Sequence, residues 1–139
     1  MKVKLDHPSC IPFKKHHYDA GFDLKDKHGT TLKPYEDKVI HTGVYAEIPE
    51  GYVGLVFPRS SLGREGLVLL NTVGVIDSHY RGEIMILAKN VNNSQQIIIL
   101  PFQRFAQLVI VPVFLPTIEV VESISDTERG TGGFGSTGK

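Results

Sequence analysis

KVIHTGVYAEIPEGYVGLVF, running from Lys38 to Phe57, decides the fold class. Val, Ile and Tyr recur at short intervals, and in Tyr45-Ala46-Glu47-Ile48 the polar Glu47 sits between apolar neighbours, as in a half-buried strand. Pro49-Glu50-Gly51 breaks the run and predicts a turn between strands over 38–49 and 51–57. The same grammar extends outward in both directions. Strand-like runs are KVKL at 2–5, LVLLNTVGVI at 67–76, GEIMILAKN at 82–90, QIIIL at 96–100, FAQLVIVPVF at 105–114 and TIEVVES at 117–123. Pro112 and Pro116 point to an edge strand or a crossover between sheets. No sustained helical period occurs. One short helix is predicted over Ser60–Glu65, with serine at its start and Gly66 as its stop. Evenly spaced strands without intervening helices make the chain all-β: a sandwich, a barrel or a jelly roll. We expect one β-rich domain over 1–124, followed by a flexible Gly-rich arm over 125–139 that has no apolar period of its own.

The chain has 139 residues, with 15 Lys and Arg balanced by 15 Asp and Glu. A chain of this size buries roughly 70% of its unfolded surface, enough for a real core. Zero net charge argues against general nucleic-acid binding, which needs a basic surplus to displace counterions. No stretch reaches the length of a membrane span, and no signal-like apolar run is present, so a soluble, cytoplasmic protein is expected, in host cytoplasm or nucleus if the source is viral. Cys10 is the only cysteine, which leaves no internal disulfide and no thiolate cluster. The six histidines show no metal-ligand spacing. Two arrangements stand out from this neutral background. All five arginines lie beyond residue 58, and five of the fourteen glycines fall in the last ten residues.

Five segments carry polar chemistry. Pro58-Arg59-Ser60-Ser61 ends a strand and opens the short helix, where free N–H groups, two hydroxyls and a guanidinium suit a phosphate; a plain serine cap beside a surface arginine is the alternative. Residues 71–83 (NTVGVIDSHYRGE) predict two strands folded on an Asp-Ser-His-Tyr bend. Gly74 and Gly82 there allow a planar ligand close to the backbone, Asp77 is placed to hold and deprotonate a water, and Tyr80 offers a flat face. An ordinary hairpin with an Asx turn fits the same residues. Asp23 lies within the apolar AGFDL at 20–24, where a carboxylate is either bonded locally or faces a cation. RFAQL at 104–108 brings Arg104 and Gln107 into an apolar strand, which an edge strand would also explain. RGTGGFGSTG at 129–138 lacks the lysine of a Walker A loop and precedes no helix. One arginine, one phenylalanine and two hydroxyls on a glycine-rich backbone suit a lid over an anion and a ring.

In this order the five segments resemble the motifs of the trimeric dUTPases. Ser61 departs from the glycine of many relatives, and Phe22 stands where Tyr is frequent. The resemblance implies a jelly-roll-like β fold and a homotrimer with sites at subunit interfaces. One subunit would supply AGFDL, PRSSL and RFAQL, a second the bend, and a third the tail. It implies Mg²⁺-assisted hydrolysis of dUTP to dUMP and pyrophosphate, which limits uracil incorporation into DNA and supplies dUMP for dTMP synthesis. Asp77 would be the base that activates water for attack on the α-phosphorus, and Asp23 would hold Mg²⁺ through water. Arg59, Ser60, Ser61 and Gln107 would bind phosphates, and Arg129, Gly135, Ser136 and Thr137 would close on the γ-phosphate. Asn71, Gly74 and the main chain at Val75, Ile76 and Met85 would read uracil. Tyr80 would pack under the deoxyribose and Phe134 would stack on the base. A dCTP deaminase shares this fold but not the full tail pattern. A non-catalytic regulatory module built on the same fold is the competing class, and intact Asp23, Asp77 and tail speak against it.

Overall fold

Alternating apolar side chains need a second apolar surface, and the chain provides it by packing strand against strand rather than by adding helices. The computed structural model describes residues 1–133. Its strands are β1 (Lys2–Leu5), β2 (Gly21–Lys25), β3 (Thr30–Leu32), β4 (Asp37–Glu47), β5 (Tyr52–Pro58), β6 (Leu67–Leu69), β7 (Gly74–Ile76), β8 (Glu83–Asn90), β9 (Ile97–Ile99) and β10 (Arg104–Pro112), with one helix, α1 (Ser60–Arg64). One antiparallel sheet has the order β1-β4-β8-β6 and another β2-β10-β5-β7, while β3 pairs with β9. This is the jelly-roll-like arrangement expected. Period-2 burial is clean in β8, where Ile84, Ile86 and Ala88 are buried while Met85 and Leu87 are exposed. The inward faces meet in a core that includes Leu24, Ile40, Val44, Val56, Leu67, Phe105 and Leu108. Fully burying such side chains contributes about 1.5–3 kcal/mol each.

Four sequence expectations change. The run at 67–76 is two strands in different sheets, because Thr72 turns the chain in the left-handed region at φ 59° and sends it from β6 to β7. β10 is interior rather than an edge: it pairs with β2 on one side and β5 on the other, and Pro112, which lacks an N–H, is its last residue. Ser60 is the first residue of α1 rather than its cap; Arg59 takes the cap position and makes no side-chain cap bond. Residues 117–123 form no strand, and Ile118 and Val120 are 87% and 94% exposed. With neither a ladder partner nor an apolar surface from its own core, that segment has nothing to fix it as a strand.

Candidate active site

The polar segments gather into two clusters. The first is built around Asp23. Its Oδ1 is 3.0 Å from Arg59 Nε, and its Oδ2 accepts from Arg104 Nη1 at 3.0 Å. The carboxylate inside the apolar AGFDL therefore faces two cations, not its own backbone. A β-bulge explains how Arg104 reaches it. Gln107 opposes Asp23 and Ala106 opposes Leu24, but Arg104, not Phe105, opposes Lys25. The extra residue reverses the alternation, so Phe105 joins Ala106 and Leu108 in the core while Arg104 shares the face of Gln107 and Asp23. The Arg104 guanidinium also lies 4.9 Å above the Phe13 ring.

Arg59 is held to the same strand through its backbone, which donates to Phe105 O at 3.0 Å, while its Nη1 donates to Arg104 O at 3.4 Å. Gln107 Nε2 donates to Pro58 O at the outer limit of 3.5 Å. A methyl added at Gly21 would sit 2.8 Å from Gln107 Oε1, so Gly21 gives this amide its room. Ser60 and Ser61 are exposed at the start of α1, beside this cluster in sequence. Arg104 is the residue that sequence reasoning missed among the site candidates. A guanidinium opening an apolar strand was visible, but the bulge that aims it was not.

The second cluster is the segment 71–83, and it is not the hairpin expected. β7 belongs to one sheet and β8 to the other, and no ladder joins them among the described residues. Among the described residues β7 pairs only with β5. Among them the first half of β8 likewise pairs only with β4, since its pairing with β6 covers Ala88 to Asn90. Two strand edges therefore face each other across a gap. The gap holds two adjoining cavities of about 210 and 130 Å³ that share Val75, Ile76 and Met85 as lining. Asn71 and Gly74 line the larger one, and Asp77, Tyr80 and Glu83 the smaller. A methyl at Gly74 would meet Val56 Cβ at 3.1 Å, so the missing side chain there lets β7 lie against β5. Asp77 is exposed at the end of β7. Its carbonyl accepts from Tyr80 N at 3.0 Å to close the bend, and no side chain among the described residues bonds its carboxylate.

None of Asp23, Arg59, Ser60, Ser61 or Gln107 lines these cavities, so one chain holds the two clusters apart. Arg129 is separate from both, with Nε donating to Gly132 O at 3.1 Å inside its own turn. Phe134, Gly135, Ser136 and Thr137 lie outside the described residues.

The family model described as dUTPase matches residues 7–138, nearly the whole chain. This chain belongs to the dUTPase family. It is 47% identical to the deoxyuridine 5'-triphosphate nucleotidohydrolase of Nautilia profundicola, covering 100% of this chain and 99% of that protein. It is 42% identical to the enzyme of that name from Escherichia phage T5, covering 99% and 98%. Among solved structures it is similar to a mutant dUTPase of Staphylococcus bacteriophage 80alpha with dUpNHpp, at a TM-score of 0.88 and 34% identity over 99% of this chain and 98% of that one. It also resembles a mutant dUTPase from phage phi11 of S. aureus, a structure described as revealing how a structural Mg(II) ion is coordinated (TM-score 0.81, 30% identity, 90% and 98% covered).

For a dUTPase-family chain, the donor set can be tested against Mg²⁺. Asp23 is a single carboxylate, and no three His, Cys, Asp or Glu side chains converge among the described residues. Mg²⁺ keeps several waters and uses one or two carboxylates plus substrate phosphates, so Asp23 fits an ion carried by a triphosphate. The two arginines use two of about four lone-pair sites on that carboxylate, leaving sites for a water of the ion's shell.

Proposed function

We propose that the chain hydrolyses dUTP to dUMP and pyrophosphate. The observation that carries this reading is the carboxylate of Asp77, unpartnered among the described residues, at the rim of a cavity walled by two strand edges. Unpaired N–H and C=O groups of Val75 and Met85 are the donors and acceptors a uracil edge needs. Cytosine reverses that pattern and would leave groups unpaired at about 1–3 kcal/mol each. Asp77 takes a proton from water as the oxygen attacks the α-phosphorus. The bond to the bridging oxygen breaks, and pyrophosphate leaves with the electron pair. Tyr80 supports the deoxyribose and leaves no room for a 2′-hydroxyl.

Arg59, Ser60, Ser61 and Gln107 bind the phosphates, and Arg129, with Gly135, Ser136 and Thr137, closes over the γ-phosphate. Phe134 stacks on the base. Asp23 holds Mg²⁺ through water, and the ion supplies charge neutralisation on the triphosphate. The separation of the phosphate cluster from the base cavity within one chain supports a homotrimer in which neighbouring subunits complete each site. The exposed apolar side chains Phe114, Leu115, Ile118, Val120 and Ile124 support the same reading, since such a stripe finds cover on another chain.

The test is pyrophosphate release from dUTP, dCTP, dTTP and UTP with Mg²⁺, run on the native protein and on Asp77→Asn. Turnover of dUTP alone, falling at least about a thousandfold in the variant while dUTP analogue binding is kept, is expected. Equal turnover by the variant, or ammonia release from dCTP, refutes the reading.

A further inference from the structure

We propose that Glu83, resting on the reading above, is a positioning residue that fixes Tyr80 and thereby sets selection of deoxyribose over ribose. The starting observation is an irregularity in β4. Its ladder with β8 runs regularly from Asp37 to His41, skips, and returns at Tyr45 opposite Glu83. The skipped residues Thr42, Gly43 and Val44 are buried, and the N–H groups of Gly43 and Val44 are taken by side chains rather than by β8 carbonyls. Thr42 Oγ1 accepts from Val44 N at 3.2 Å and donates to Ile84 O at 2.6 Å. The Gly43 N–H is satisfied by Glu83 Oε1 at 2.7 Å. The carboxylate thus stands in for a ladder carbonyl. Its other oxygen, Oε2, is 2.8 Å from His41 Nδ1, and the side chain is only 13% exposed.

Both oxygens of Glu83 therefore tie the first residue of β8 to the bulge of β4. The main-chain carbonyl of that same residue accepts the Tyr80 hydroxyl at 3.0 Å. Gly82 lets the ring lie there, since a methyl at 82 would be 2.3 Å from Tyr80 Oη. The bend 77–82 crosses from one sheet to the other. Its β7 end is held by the ladder to β5, whereas its β8 end is held by the one ladder pair beyond the irregularity, Tyr45–Glu83, together with the Glu83 side chain. Moving that end moves the acceptor that Tyr80 needs, along with the edge at Met85, while Asp77 stays next to the last residue of β7. Glu83 itself lines the smaller cavity together with Tyr80 and Asp77.

Reach, not charge, is the property this role needs. Glu83→Gln keeps the acceptor for Gly43, whereas Glu83→Asp keeps the charge and is one methylene short of spanning both partners. Steady-state kinetics on dUTP and UTP should show the ratio of their kcat/KM values falling about tenfold in Glu83→Ala and Glu83→Asp, with KM for dUTP rising more than kcat falls. Glu83→Gln should stay within about threefold of the native ratio, and adding Glu83→Ala to Tyr80→Phe should change the ratio less than about twofold. Should Glu83→Ala not fold, the Asp and Gln pair decides alone. An unchanged ratio in Glu83→Asp, a collapse in Glu83→Gln, or full additivity with Tyr80→Phe overturns the proposal. A native protein inactive on dUTP refutes the functional reading instead.

Discussion

Arg104→Gln probes the link between the bulge in β10 and the phosphate cluster. The substitution removes the 3.0 Å bond to Asp23 Oδ2 and the guanidinium 4.9 Å over Phe13, leaving Asp23 to Arg59 alone. A unit-charge pair at about 4 Å is worth roughly 4 kcal/mol gross at an effective dielectric of 20. Arg104 is 39% exposed, so solvent and desolvation reduce this to the range of exposed pairs, about 0.5–1 kcal/mol. The stacking on Phe13 adds about 0.5–1 kcal/mol. A total near 1–2 kcal/mol corresponds to a fall in Tm of roughly 3–8 °C for a chain of this size. It should shrink in high salt, which screens the pair but not the stacking. The second consequence is functional. Arg59, now the sole partner of Asp23, is less free to meet phosphate, so KM for dUTP should rise about fivefold with a smaller change in kcat. Calorimetry at two ionic strengths and steady-state kinetics test both parts. A variant as stable as the native protein in low salt, with unchanged KM, would show that the bulge does not aim Arg104 for this purpose.

Gly43→Ala should destabilise by about 2–3 kcal/mol in urea titration, because φ is +66° and the new methyl would lie 2.7 Å from the buried Cys10 Sγ; a loss below about 0.5 kcal/mol would contradict the packing described. The hydrogen bond from Lys27 to Asp6, at 2.7 Å, holds the Asp6 carboxyl below its ordinary 3.8 and raises Lys27 above 10.5. Asp6 therefore adds stability that is fully present above its unfolded pKa and is lost as pH falls through the lowered folded value, whereas the share of Lys27 is lost as pH rises through its raised value. Lys27→Met should flatten the melting-temperature profile below pH about 4 and above about 10.5, and a profile parallel to the native one at both ends would exclude this pairing in solution. Removing 129–139 should cripple dUTP turnover while leaving a folded oligomer by light scattering, and a fully active truncation would remove the lid from the mechanism.

A strand with a clear two-residue period, such as that at 82–90, was legible because burial on one face writes itself into the alternation. Gly21–Lys25 and Thr30–Leu32 escaped because three to five residues, two of them charged in the first, carry too few positions to show a period. The run at 67–76 looked continuous because Leu, Val and Ile lie on both sides of Asn71-Thr72. The left-handed turn at Thr72, not hydropathy, divides it. The site followed the same division. Asp77, Tyr80 and Gly74 could be named from a bend and its flanking glycines, since local chain geometry brings them together. The partners of Asp23 could not be named, because Arg59 and Arg104 come from positions 36 and 81 residues away in sequence and one of them depends on a bulge. Glu83 was hidden for a related reason: its role is to replace a missing backbone acceptor, and a missing bond leaves no trace in composition.

The two open strand edges also bear on how this protein survives at high concentration. An unpaired edge is a template on which another extended chain can add itself, which is a common start of aggregation. Here the exposed template is short, with β7 only three residues long, and the two open edges border one small cavity. A peptide strand carries side chains on both sides and enters such a slot poorly, whereas a flat ring slides in edge-on. The shape that lets a base through is thus also a filter against polypeptide, and a nucleotide analogue added during handling should protect the protein by filling the sticky edge that its fold leaves open.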